Sequence, residues 1–144
     1  METQQLHRGR LIDHIQLIVK DLPASRRFYD AVFGALGIEL SGSGADYFWV
    51  DELFFSTADS EAAAGKLTGR HHLAFQAADE AAVDRFYDAA LKAGGKDNGK
   101  PGERKYHPGY YGAFVINPDG NNIEAVYHGP AKKSADSVVI TFDS

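Results

Sequence analysis

The chain contains no cysteine, one methionine, one tryptophan and five prolines in 144 residues. Without cysteine it has no disulfide, no thiolate zinc site and no thiol nucleophile. It has no run of about 18 apolar residues, so no segment reads as a membrane-spanning helix. Positive charge is not in excess either. The formal net charge of −5 argues against nucleic acid and anionic membrane surfaces as partners. The opening METQQLHRGR lacks the apolar segment of a secretory signal, so a cytoplasmic protein is expected. What is present, 44% hydrophobic and 24% charged residues, suits one soluble domain or two small modules sharing a core.

The pentapeptide RFYDA occurs twice, at 27–31 and at 85–89, an offset of 58 residues. The same offset relates His14 to His72, Asp21 to Asp79 and Ala24 to Ala82. A shared offset across a strand residue, a helix start and a helix indicates internal duplication. In the first copy LIDHIQLIVKD reads as a strand. LPASRRFYDAVFGALG follows with a helical apolar face, Asp21 as N-cap and Gly37 past its end. IEL, DYFWV and LFFST then read as short strands. In the second copy HHLAFQAAD is a strand and AAVDRFYDAALKAGG a helix capped by Asp79. KDNGKPGERKYHPGYYG is a long functional loop, and AFVI and NIEAVYH are strands joined by the tight turn NPDGN. The expected architecture is α+β: two tandem βαβββ modules, about 10–60 and 69–128, forming curved mixed sheets around an open cavity. Together with the extension 129–144, where SVVITF is an extra edge strand, they make a single domain over 10–144. The N-terminal segment with His7 is expected to be loosely held.

Strand alternation puts His14 with Gln16, and His72 with Ala74 and Gln76, on the face turned away from the helix. His72, not His71, is therefore the mate of His14. Glu124 lies in an apolar strand, where an ionised carboxylate needs a partner or a metal. Two imidazoles and a carboxylate are a ligand set for a divalent metal with open positions, typical of non-haem iron. The alternatives are a pair of structural histidines and a carboxylate paired to a surface cation.

The patterns DHIQLIVKDLPASRRFY, HHLAF and FVINPDGNNIEAVYH together resemble the vicinal oxygen chelate superfamily, from about Leu11 to His128. That superfamily includes glyoxalase I, the bleomycin- and fosfomycin-resistance proteins and the extradiol dioxygenases. The resemblance implies a metal held by His14, His72 and Glu124. It also implies one departure. Glyoxalase I carries a fourth ligand, a glutamate on the last strand of its first module, and the matching place here falls near Phe54 or Phe55.

The expected function is a metal-dependent dioxygenase, or lyase or isomerase, acting on a small vicinally oxygenated metabolite. Fe(II), Mn(II), Ni(II) or Zn(II) is the cofactor, with no organic cofactor evident. The alternative is a metal-free, small-molecule sequestering protein of the bleomycin-resistance type. His107 and Tyr111 are candidate catalytic residues, and Gln16, Trp49, Gln76 and Tyr110 candidate substrate contacts. A homodimer is expected from the resemblance.

Overall fold

In the computed structural model residues 5–9, 12–135 and 137–141 are described. Leu11, read from sequence as the start of the first strand, Asp136 of the expected linker, Phe142 of the last strand and residues 1–4 lie outside them. The chain divides into two compact units, one built from parts of Met1–Leu22, Glu39–Thr68 and Lys133–Ser144, the other from Pro23–Ile38 and Gly69–Lys132.

The first unit holds a four-stranded sheet of β2 (Ile15–Ile18), β3 (Gly42–Ser43), β4 (Tyr47–Val50) and β5 (Leu53–Ser56), in the order β2-β5-β4-β3. β2 runs parallel to β5, and the other pairs are antiparallel. Phe48 and Phe55 stack at 4.5 Å in its core. A separate two-stranded ribbon pairs β1 (Gln5–Arg8) with β10 (Val138–Thr141).

The second unit repeats the plan with β6 (His72–Gln76), β7 (Lys96–Glu103), β8 (Tyr111–Ile116) and β9 (Asn122–Tyr127), in the order β6-β9-β8-β7. β6 is again parallel to β9. Each sheet is open, with its first strand beside its last. Two mixed sheets of the same topology in an α+β chain are what tandem βαβββ copies produce.

The two helices, α1 (Leu22–Ala35) and α2 (Glu80–Lys92), start 58 residues apart. α2 begins where Asp79, in extended backbone, accepts a hydrogen bond from the Ala82 amide at 2.7 Å. It ends before Gly94, whose φ of +99° favours glycine. The repeated pentapeptide is core: Phe28, Tyr29, Phe86 and Tyr87 are buried, while Arg27 and Arg85 are exposed. α1, the helix of the first copy, belongs to the second unit. There Phe33 meets Phe75 at 4.9 Å and the Asn117 amide donates to the Tyr29 hydroxyl at 3.0 Å. Phe28 lies so close to Gly95 that a side chain there would clash.

Four elements differ from the sequence expectation. β2 starts at Ile15, so His14 immediately precedes it. The apolar run Ile38–Leu40 is not a strand. The turn closed by Gly44 N–H to Tyr47 O sets Gly42 and Ser43 opposite Trp49 and Phe48, leaving that run outside the pairing. Lys96–Glu103, expected as loop, is the edge strand β7. Its glycines, charges and Pro101 are compatible with an edge, and its pairing to β8 shifts register twice. The loop shrinks to the turn between Arg104 and Tyr110, closed by the Arg104 amide donating to Tyr110 O at 2.9 Å. Finally, the segment with His7 is a paired strand, and Arg8 within it is buried, donating to Asp51 O at 2.9 Å.

Candidate functional site

In the second unit β6 and β9 lie side by side with His72 opposite Asn122 and Ala74 opposite Glu124. Glu124 is 3% exposed, so its charge depends on the partners the protein supplies. His72 Nδ1 lies 3.0 Å from Asn122 O. A carbonyl only accepts, so Nδ1 carries the hydrogen and a neutral ring turns its Nε2 lone pair outward. That nitrogen is 3.0 Å from Glu124 Oε1. Two electron-rich atoms at this distance require a proton or a metal cation between them.

Glu124 Oε2 accepts from the Tyr110 hydroxyl. Burial, and then this bond to the carboxylate, raise the Tyr110 phenol above its ordinary value. The Tyr110 ring is held by edge contacts to Tyr106, His107 and His128 at 4.8, 5.3 and 5.5 Å. His107 and His128 stack, with Nε2 to Nδ1 at 2.8 Å. His107 Nδ1 faces Pro108 O at 2.9 Å, so His107 Nε2 accepts from His128. Gly109 and Gly129, both with positive φ, make the close backbone approach that joins these two segments. A Cβ at either would press on the facing backbone at 3.1–3.3 Å.

In the first unit His14 Nδ1 is 2.6 Å from Asp13 Oδ1, which also takes a bond from Arg8 Nε at 3.2 Å. The His14 contact is the main cause holding the Asp13 carboxyl below its usual value. The pairing that places Ala74 beside Glu124 in the second copy places Gln16 beside Phe54 in the first. Phe54 is therefore the topological mate of Glu124. It packs its ring 5.6 Å from His14 and stacks on Trp49 at 5.1 Å. A fourth ligand of the glyoxalase I kind has no side chain to come from there. Trp49 is buried. Gln16 donates to Ser56 Oγ at 2.7 Å on the wall of a pocket of about 230 Å³, lined also by Asp46, Tyr47, Phe54 and Ser60.

His72, Glu124 and Tyr110 are thus brought together, with His107 next to Tyr110. Tyr111 is not part of this group. Alternation along β8 sends it to the opposite face, where its hydroxyl donates to Asp84 of α2 at 2.8 Å. Gln76 is exposed near the end of β6. Sequence reasoning missed the Tyr110–Glu124 bond and the support of His14 by Asp13. The adjacency of Asp13 to His14 was a readable signal; the Tyr110 contact was not, since it depends on a turn.

In the second unit His72 Nε2 and Glu124 Oε1 are two donor atoms of the kind a divalent metal takes. Each histidine has Nδ1 fixed by an oxygen, Asp13 or the Asn122 carbonyl. This is the arrangement that orients Nε2 as a ligand. Glu124 offers Oε1 beside one of them. Among the described residues no group of three His, Cys, Asp or Glu side chains is assembled as a metal cluster. No helix among them is long and apolar enough to cross a membrane.

Tandem βαβββ units, each with an open four-stranded mixed sheet whose first strand lies parallel to its last, define a class of paired-module proteins. The family model of the glyoxalase/bleomycin resistance protein/dioxygenase superfamily matches residues 11–125, and the chain belongs to that superfamily. It is similar to the crystal structure of a glyoxalase/bleomycin resistance protein from Albidiferax ferrireducens T118. The identity is 28% over 81% of this chain and 97% of that one, with a TM-score of 0.67. A glyoxalase-related enzyme from Fulvimarina pelagi matches at 22% identity over 94% and 99%, TM-score 0.69. Lactoylglutathione lyase from Agrobacterium tumefaciens matches at 21% over 82% and 93%, TM-score 0.58. The latter two likenesses concern the fold alone. No curated protein matches the chain significantly.

Proposed function

We propose that this protein is a metal-dependent enzyme acting on a small vicinally oxygenated metabolite by dioxygenase, lyase or isomerase chemistry. The observation that carries this reading is the pair His72 Nε2 and Glu124 Oε1, 3.0 Å apart on a buried carboxylate, with the histidine tautomer set by a backbone carbonyl. A divalent cation held there supplies Lewis-acid stabilisation of developing enolate or alkoxide charge. The Asn122 carbonyl keeps the His72 lone pair aimed. Tyr110 occupies Oε2, leaving Oε1 to face His72. His128 donates its Nδ1 proton to His107 and so presents Nε2 as a proton acceptor beside the Tyr110 ring. The resemblance to the superfamily nominates His14, whose Nδ1 is engaged by Asp13, as a further donor.

A metal-free binding protein is the second reading, favoured by Phe54 at the position where a ligand would stand and by the polar pocket beside it. One measurement separates the two: metal content by mass spectrometry of untagged protein, before and after chelation and reloading with Fe(II), Mn(II), Ni(II) or Zn(II). The enzyme reading expects near-stoichiometric binding, lost in His72→Ala and Glu124→Ala and weakened in His14→Ala. Absence of binding by the wild type under every loading condition overturns it.

A further inference from the structure

On the face of the second sheet that carries Glu124, β8 presents Gly112, Phe114 and Ile116. Phe114 pairs with Glu124 and stacks against His72 at 6.0 Å. On its other neighbour, β7, the partners are Gly99 and Gly102. The face is therefore stripped of side chains at three places around Phe114. A Cβ on Gly112 would stand 3.1 Å from Glu124 Oε2, and one on Gly102 would stand 3.2 Å from an Arg104 guanidinium nitrogen.

Gly102 and Gly112 are a register pair, and directly paired Cα atoms lie about 4.5–5.5 Å apart. The guanidinium of Arg104 and the carboxylate of Glu124 thus stand over adjacent glycines, with the Tyr110 ring beside the carboxylate, 3.2 Å from where a Gly112 Cβ would lie. Arg104 is half-buried. It lies 5.3 Å over the Phe114 ring and is held there by bonds from its two terminal nitrogens to Glu103 O at 3.2 Å and Lys100 O at 2.6 Å. Both partners are neutral carbonyls. No carboxylate among the described residues forms an ion pair with it. A half-buried guanidinium, preset by a ring and two carbonyls, keeps N–H donors in a planar fork suited to an oxyanion.

We infer that Arg104 is a substrate-recognition residue, and that the ligand of this site bears an oxyanion, a carboxylate or a phosphate, next to its vicinal oxygens. The inference rests on the preceding reading for where the reacting oxygens sit; the oxyanion contact itself needs only the Arg104 guanidinium. Neutral diols and ketols of the same size lack the group that the fork binds.

The test is calorimetric titration of metal-loaded and metal-free protein with pyruvate (carboxylate only), dihydroxyacetone phosphate (phosphate only) and neutral hydroxyacetone. Wild type is compared with Arg104→Gln and with Gly102→Ala, which keeps the charge and displaces the guanidinium. The tighter of the two anions names the oxyanion. Its affinity is expected to fall about 10- to 100-fold in Arg104→Gln and to fall also in Gly102→Ala. Hydroxyacetone binding and metal affinity are expected to stay at wild-type values. If Arg104→Gln does not fold, Gly102→Ala and the weakening of wild-type anion binding by salt decide in its place. Equal anion affinity in wild type and variants, or no binding of either anion to wild type, overturns the inference. Arg104-dependent binding in protein that takes up no metal upholds it while removing the metal reading. Metal uptake with anion binding indifferent to Arg104 does the reverse.

Discussion

Tyr110→Phe removes one hydroxyl from the site and nothing else. The ring keeps its contacts to Tyr106, His107 and His128, so apolar packing is unchanged. What is lost is the donor on Glu124 Oε2, in a carboxylate that is 3% exposed. A hydrogen bond to a charged group contributes about 1.5–3 kcal/mol, and a buried acceptor left alone carries its desolvation cost. For a domain near this size each kcal/mol moves the midpoint by about 2–4 °C, giving a fall of about 3–12 °C. Thermal and urea unfolding at pH 7 measure it. The coupling is isolated by repeating the substitution in Glu124→Gln, where Tyr110→Phe should cost clearly less. A Tyr110→Phe protein as stable as wild type, or a loss of equal size in the Glu124→Gln background, would refute the assignment of Tyr110 as the partner of Glu124.

Two further outcomes are expected. Gly129→Ala places a Cβ about 3.1–3.4 Å from the Gly109 backbone at a φ of +81°. The left-handed conformation alone costs about 1–2 kcal/mol. Urea unfolding should therefore show a loss of at least about 1 kcal/mol, and imidazole NMR signals should report separation of His107 from His128; an unchanged urea midpoint contradicts this. In alkali, the hydrogen bond to Asp84, followed by burial, pushes the Tyr111 phenol up to about 12. An unfolded phenol loses its proton near ~10. Because the folded value is the raised one, the contribution is complete below about pH 10 and is lost as pH rises through about 12. Stability should thus decline across that window, with a shallower slope in Tyr111→Phe; parallel slopes for the two proteins contradict the contact.

Much of the scaffold was legible in the residues because its causes are local. The 58-residue offset predicted two copies, and the two sheets share one strand order. The RFYDA segments are buried helix faces, Asp79 caps α2, and the turn at Asn117–Gly120 closes as its composition demands. Alternation marked the face that His72 occupies, and the apolar setting of Glu124 marked it as a carboxylate in need of a partner; only the strand register that joins β6 to β9 places the two together. β7 escaped because Lys96–Glu103 has no apolar alternation. An edge strand is held by backbone pairing on one side, which leaves its side chains little constrained.

By itself, then, the sequence determined the duplicated plan and the helix faces, both carried by periodicity and spacing along the chain. Tertiary structure alone decided the rest. α1 packs within the second unit; Phe54 occupies the topological place of Glu124; Tyr110 rather than Tyr111 reaches the carboxylate; and Arg104 lies against Gly99 and Gly102 of β7. Each of these depends on cross-strand register and on the path of a turn. A shift of one residue in either reverses which face a side chain occupies, while the composition of the segment stays the same.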